Sequence, residues 1–166
     1  MTHATRLGRS VIPVATNNAQ VGPVVVGYDG RDESEIALDV AIREARTRLA
    51  GLVVIVVGSL PVAVGDPLDP YSIGAGGYLE MTPDGPLEIR PIVLAARRKV
   101  AAARIDGTVE WAIGDPASEI IRTADEQGAS AIVVGTHHHS ALARMLGADI
   151  AATVVRHAHR DVVVAQ

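Results

Sequence analysis

Short apolar runs separated by stretches of helical spacing constrain this chain more than any other feature of its sequence. Pro23-Val-Val-Val-Gly-Tyr28 and Leu52–Val57 are both continuous and rich in β-branched residues, the pattern of strands buried on two faces. Between them, Asp29–Gly30 reads as a turn, and Asp32-Glu-Ser-Glu35 as a helix cap with an acid three positions on. Ile36, Ala37, Val40, Ala41, Ala45 and Leu49 then recur at helical spacing until Gly51. The sum is a βαβ unit, whose strands are parallel and whose crossover is right-handed.

The same alternation returns after an interruption. Residues 58–91 are rich in Gly and Pro and read as a long surface insertion. A helix is predicted over Ile92–Ile105, with Val93, Ala96, Val100 and Ala103 on one face. Val109, Trp111 and Ile113 alternate as a third strand. Gly114-Asp-Pro116 then supplies an Asp cap and a Pro in the first turn. Ala117, Ile120, Ile121 and Ala124 form the stripe of the next helix, which Gly128 ends. Ala131–Val134 is a fourth strand, roughly Ala141–His157 a helix, and Asp161–Ala165 a last strand. Five strands alternating with four helices predict a doubly wound α/β sandwich: one parallel sheet, helices on both faces. Residues 1–22 show no sustained period and read as a mobile leader to one domain spanning 23–166.

Composition removes several function classes. Aromatic residues make up 2% of the chain, with one Trp, three Tyr and no Phe. Modules that stack bases on aromatic platforms are therefore disfavoured. A net charge of -4 lacks the basic footprint of a nucleic-acid binder. With no Cys, thiol catalysis and zinc-thiolate sites are excluded. No apolar stretch approaches the roughly 20 residues of a membrane span, and residues 1–22 carry no apolar signal core. The expectation is a cytoplasmic chain.

Doubly wound sheets bind ligands beyond the carboxyl ends of their strands, where strand order reverses. The exit loops there are Gly27-Tyr-Asp-Gly30 and Gly135-Thr-His-His-His-Ser140, with Gly114-Asp-Pro116 on the same rim. Asp29 offers an acceptor, and Gly135 lets backbone approach a ligand. The plainer alternative is that Asp29 caps a turn and Gly135 only bends the chain. No G-x-G-x-x-G or G-x-x-x-x-G-K-[ST] motif is present, and the only Lys is Lys99, outside these loops. Phosphoryl transfer has no visible apparatus, so catalysis is not expected. His137, His138 and His139 are adjacent and diverge, which disfavours one tetrahedral metal site. An exposed loop tuning charge or phosphate affinity is the expectation.

These pieces together resemble the universal stress protein family. The resemblance rests on Val24-Val-Val-Gly-Tyr-Asp-Gly30, Gly114-Asp-Pro-Ala117 and Ala129-Ser-Ala-Ile-Val-Val-Gly-Thr136. Ala151-Ala-Thr-Val-Val-Arg-His-Ala158 followed by Val162-Val-Val-Ala165 completes it. It implies a five-stranded sheet of order 3-2-1-4-5 and a homodimer paired through the last strand, Asp161–Ala165. It also implies an adenine-nucleotide crevice in which Asp29 and the backbone at Val57 meet the base. In that reading Gly114 lies on the rim, and Gly135 opens a G-x-x-G, nine residues, G-[ST] phosphate loop.

Here the loop departs from the pattern. His138 replaces the second Gly, eight residues rather than nine precede Gly147, and Ala148 replaces the hydroxyl residue. Asp149 adds negative charge, which His137–His139 would offset when protonated. The implied function is a non-enzymatic stress-response dimer with a modified nucleotide crevice, acting by interaction or ligand sensing. Its alternative is a switch that binds ATP, AMP or a cyclic nucleotide in the same crevice.

Overall fold

The computed structural model describes residues 21–58, 81–136 and 149–166. Within them the strands are β1 Val24–Gly27, β2 Leu52–Gly58, β3 Met81–Thr82, β4 Gly85–Pro86, β5 Gly107–Ile113, β6 Ala131–Gly135 and β7 Asp161–Ala165. The helices are α1 Asp32–Thr47, α2 Arg90–Ala103, α3 Pro116–Glu126 and α4 Ile150–His157. The main sheet runs β5-β2-β1-β6-β7 with every pairing parallel. Counting only its own strands, that is the predicted order 3-2-1-4-5. The chain winds outward from β1 through β2 to β5, then returns to β6 beside β1. The reversal lies between β1 and β6.

The continuous apolar runs are buried on both faces because each strand feeds two separate cores. Val24, Val26, Leu52, Val54, Val56 and Val133 pack against α1 and α2. Val25, Val53, Ile55, Ile132 and Val134 pack against α3 and α4. Val24, Val25 and Val26 are all 0% exposed, and burying such side chains stabilises by about 1.5–3 kcal/mol each.

Several local expectations shift. The buried stripe of α1 is Ala37, Leu38, Ala41, Ile42 and Ala45, whereas Ile36 and Leu49 are exposed. Two adjacent stripes satisfy the same period, and the one holding Leu38 turns inward. Arg31, not Asp32, is the residue before the helix. Ser34 Oγ donates to the Arg31 carbonyl at 2.9 Å, so the acid-Ser start braces the turn without Asp32 as cap. The helix expected over 92–105 occupies Arg90–Ala103. The last part of the Gly/Pro-rich segment pairs as β3 and β4, and its Ile89 is buried in the core. Trp111 joins that same core.

Asp115 caps α3 as expected, accepting from the Ser118 amide at 2.9 Å and its hydroxyl at 2.7 Å. These bonds hold the Asp115 carboxyl below its ordinary value. The last helix starts at Ile150, because Asp149 stands at its N-cap and accepts from the Ala152 amide at 2.9 Å. Residues 1–20, 59–80 and 137–148 lie outside the described residues. So do nearly all of the predicted leader, most of the insertion, the expected Ala141 helix start and the loop positions His137, His138, Gly147 and Ala148.

Candidate nucleotide crevice

A cavity of about 260 Å³ opens at the strand reversal, on the α3/α4 face. Val57 and Ile55 from β2, Val134 and Gly135 from β6, and Gly27 from β1 form its floor and back. Ile120 and Pro116 of α3 and Ile150 of α4 supply the opposite wall, and Tyr28, Asp29 and Arg31 the mouth. Three of the predicted site residues, Asp29, Val57 and Gly135, therefore come together. Gly114 is half-buried at the end of β5, next to the α3 start, but it is not among the lining residues.

The loop after β1 holds the Asp29 carboxylate in a fixed direction. Its Oδ1 accepts the Arg31 amide at 3.0 Å, and the Asp29 amide donates to Ser34 Oγ at 3.3 Å. The other carboxylate oxygen faces the Arg31 guanidinium at 3.6 Å, with Arg31 72% and Asp29 39% exposed. Asp29 thus does cap a turn, as the plainer alternative had it, and it also lines the cavity.

Backbone direction at Val57 follows from sheet register. The Tyr28 amide donates to the Ile55 carbonyl at 3.0 Å, which shows that Ile55 faces β1. Two residues on, the amide and carbonyl of Val57 point the same way. By then β1 has turned off into its loop, so Val57 presents backbone donor and acceptor toward the cavity side. That pair suits the edge of a purine.

The glycines around the crevice have a physical reason that sequence reading assigned differently. A Cβ on Gly135 would lie 2.5 Å from the Glu33 carbonyl oxygen. Its lack of side chain admits the first turn of α1, on the face opposite the cavity. Gly27 does the reverse, since a Cβ there would lie 2.6 Å from Ile120 Cδ1 and would press into the cavity wall.

Tyr28 and Arg31 were not singled out beforehand. Tyr28 is 3% exposed and donates to Glu35 Oε1 at 2.5 Å, while Lys99 pairs with Glu35 Oε2. Burial first, and the charge of Asp29 second, push the Tyr28 phenol above its ordinary value. The signal for Arg31 lay in its place two residues after Asp29, at a helix start facing the strand reversal. Among the described residues no group of His and acidic side chains is arranged to hold a metal ion. None of the described helices is long and apolar enough to cross a membrane.

Comparison with known proteins agrees with this geometry. The sequence model of the universal stress protein family matches residues 21–166. Universal stress protein YxiE of Bacillus subtilis (strain 168) is 32% identical over 124 residues, covering 74% of this chain and 84% of that protein. A universal stress protein solved in complex with cAMP is 28% identical, with a TM-score of 0.63 over 89% of this chain and 99% of that one. One from Archaeoglobus fulgidus, solved with dAMP, shares the fold at 24% identity and a TM-score of 0.57, covering 87% of this chain and 98% of that one. The family model spans all the described residues, and the chain belongs to the universal stress protein family.

Proposed function

We propose that this chain is a non-enzymatic stress-response protein that senses an adenine nucleotide in the crevice at the strand reversal. One observation carries the reading: Asp29, the Val57 backbone and Gly135 converge on one cavity of about 260 Å³. A relative of the same fold at 28% identity is a cAMP complex. In this reading the Val57 backbone and the Asp29 carboxylate hold the base, between the apolar walls of Ile120 and Val134. His137, His138, Gly147 and Ala148 belong to the phosphate side. A His where the family pattern has Gly takes up phosphate space, and the lost hydroxyl at Ala148 removes a bond worth about 1 kcal/mol. Both changes weaken the familiar triphosphate site while leaving the base site intact.

The assembly proposed is a homodimer in the cytoplasm, joined through β7. That strand pairs with β6 on one side and forms the sheet edge on the other. Its Val162, Val163 and Val164 are only half-buried within one chain, and an apolar edge of this kind invites a second strand. Residues 23–166 are read as one universal stress protein domain, with the Gly/Pro-rich stretch 58–91 as an insertion in it.

Calorimetry with cAMP and AMP tests the crevice. Micromolar binding that weakens at least tenfold in Asp29→Ala is the expected result. The absence of binding by either nucleotide at millimolar concentration overturns the reading. For the assembly, sedimentation is expected to show two chains, and a monomer at high concentration contradicts the β7 interface.

A further inference from the structure

Asp29, whose carboxylate meets the base in the reading above, begins a loop that its own contacts hold lightly. Its amide reaches Ser34 Oγ at a long 3.3 Å, and its Oδ1 accepts the Arg31 amide at 3.0 Å. The Arg31 guanidinium faces it across 3.6 Å with that side chain 72% exposed, and a pair so open to water contributes little. The residue before it is anchored more firmly. Tyr28 stands at the cavity mouth, yet it packs into the α1/α2 core behind the sheet and is 3% exposed. There its hydroxyl donates to Glu35 Oε1 at 2.5 Å, while Lys99 of α2 holds the other carboxylate oxygen. A hydrogen bond to a carboxylate is roughly twice as strong as one between neutral groups. Glu35 follows Ser34 in the first turn of α1. That turn therefore holds Tyr28 through Glu35 and the Asp29 loop through Ser34.

We propose that Tyr28 is a positioning residue for base recognition. Its bond to Glu35, behind the sheet, sets the direction of the Asp29 carboxylate in front of it, and with it the preference for adenine. The inference rests on the adenine-nucleotide reading given above and concerns the base alone. A carboxylate only accepts hydrogen bonds. Adenine offers it an amino group, whereas hypoxanthine carries a carbonyl at the same position and meets the carboxylate with repulsion. Such discrimination needs the carboxylate in one place, because a hydrogen bond weakens steeply as its angle closes. Loss of the phenol hydroxyl frees the β1 exit from α1 at residue 28. The Asp29 loop is then left on its longer and more exposed contacts. A Phe ring still fills the core, so the fold stays while the aim of the carboxylate is lost.

The test is calorimetric titration of the full chain with AMP and inosine monophosphate, which share ribose and phosphate. Wild type, Tyr28→Phe, Glu35→Ala and Asp29→Ala are compared. Wild type is expected to bind AMP about tenfold more tightly than inosine monophosphate. Tyr28→Phe and Glu35→Ala each lower that ratio about fivefold, the scale of one hydrogen bond, by weakening AMP alone. A general loosening of the structure would weaken both nucleotides together and leave the ratio unchanged. Added to Asp29→Ala, Tyr28→Phe is expected to change the ratio no further, since it acts through Asp29. A ratio that Asp29→Ala lowers, and that Tyr28→Phe or Glu35→Ala leaves in place, overturns the role of Tyr28 while the crevice reading stands. A further fall in the double variant does the same. Equal affinity for the two nucleotides in wild type overturns the base selection. If neither nucleotide binds, the crevice reading falls and Tyr28 falls with it.

Discussion

The two faces of the sheet, built from the same strands, end differently at their carboxyl edge. On the α1/α2 face the strand ends are closed. Gly135 admits the Glu33 backbone to within what would be 2.5 Å of a Cβ, and the chain Tyr28–Glu35–Lys99 ties the β1 exit to both helices. On the α3/α4 face the same edge is left open as a cavity between Ile55, Val57, Val134 and Ile120. The glycine on this side, Gly27, faces the end of a flexible Ile120 side chain. One face fixes the exit loops, and the other receives what those loops present.

Substitutions that break this contrast separate the faces by magnitude. Leu38→Ala, in the closed core where Leu38 is 1% exposed, is expected to cost about 3 kcal/mol, the scale of a buried Leu truncation. Urea denaturation measures it, and a loss below about 1 kcal/mol would mean that the α1 face is loosely packed. Gly135→Ala is expected to cost about 2 kcal/mol, since the added Cβ meets rigid backbone of α1. Gly27→Ala, whose Cβ meets only a rotatable methyl, is expected to cost less than about 1 kcal/mol. It narrows the cavity instead, so nucleotide affinity falls where stability does not. Equal destabilisation by the two glycine substitutions would erase the distinction between closed and open faces.

The smallest effect is at alkaline pH. The Tyr28 phenol is held above its ordinary value of 10.0, so it favours the folded state fully below that pH. Its contribution is lost as pH rises through the folded value. Stability measured from pH 8 to 11 is therefore expected to fall more steeply in wild type than in Tyr28→Phe. Parallel curves would show that Tyr28 is not coupled to the fold in this way.

The elements were more legible in the sequence than the faces of the sheet they address, for reasons visible at single residues. Strands of Val and Ile buried on both sides leave a continuous apolar run, and a capped start such as Asp115–Pro116 marks a helix unambiguously. Strand order came only from resemblance, since the apolar runs carry no record of their neighbours. Asp29 and Gly135 were foreseeable because ligands of doubly wound sheets sit where strand order reverses, whereas Val57 came only from the resemblance. Which face of the sheet each residue addresses was not foreseeable. Gly135 looked like a place for a ligand, yet its missing side chain serves α1, because a glycine in sequence does not reveal the direction of its absent Cβ. Arg31 was overlooked because Asp32 and Glu35 resembled a capping box, which drew the helix start one residue too late and left Arg31 inside a turn. Leu38 and Ile36 compete for the same helical period, and only packing against β1 and β6 decides between them.

The open face is the centre of the account, and backbone amide NMR during a cAMP titration tests it most directly. The predicted result is a set of shifts confined to the crevice: Gly27 to Arg31, Ile55 to Val57, Val134, Gly135 and the start of α3. The amides of Val93, Ala96 and Val100, on α2 behind the sheet, stay in place. Shifts centred on α2, or none at all at saturating cAMP, would contradict it.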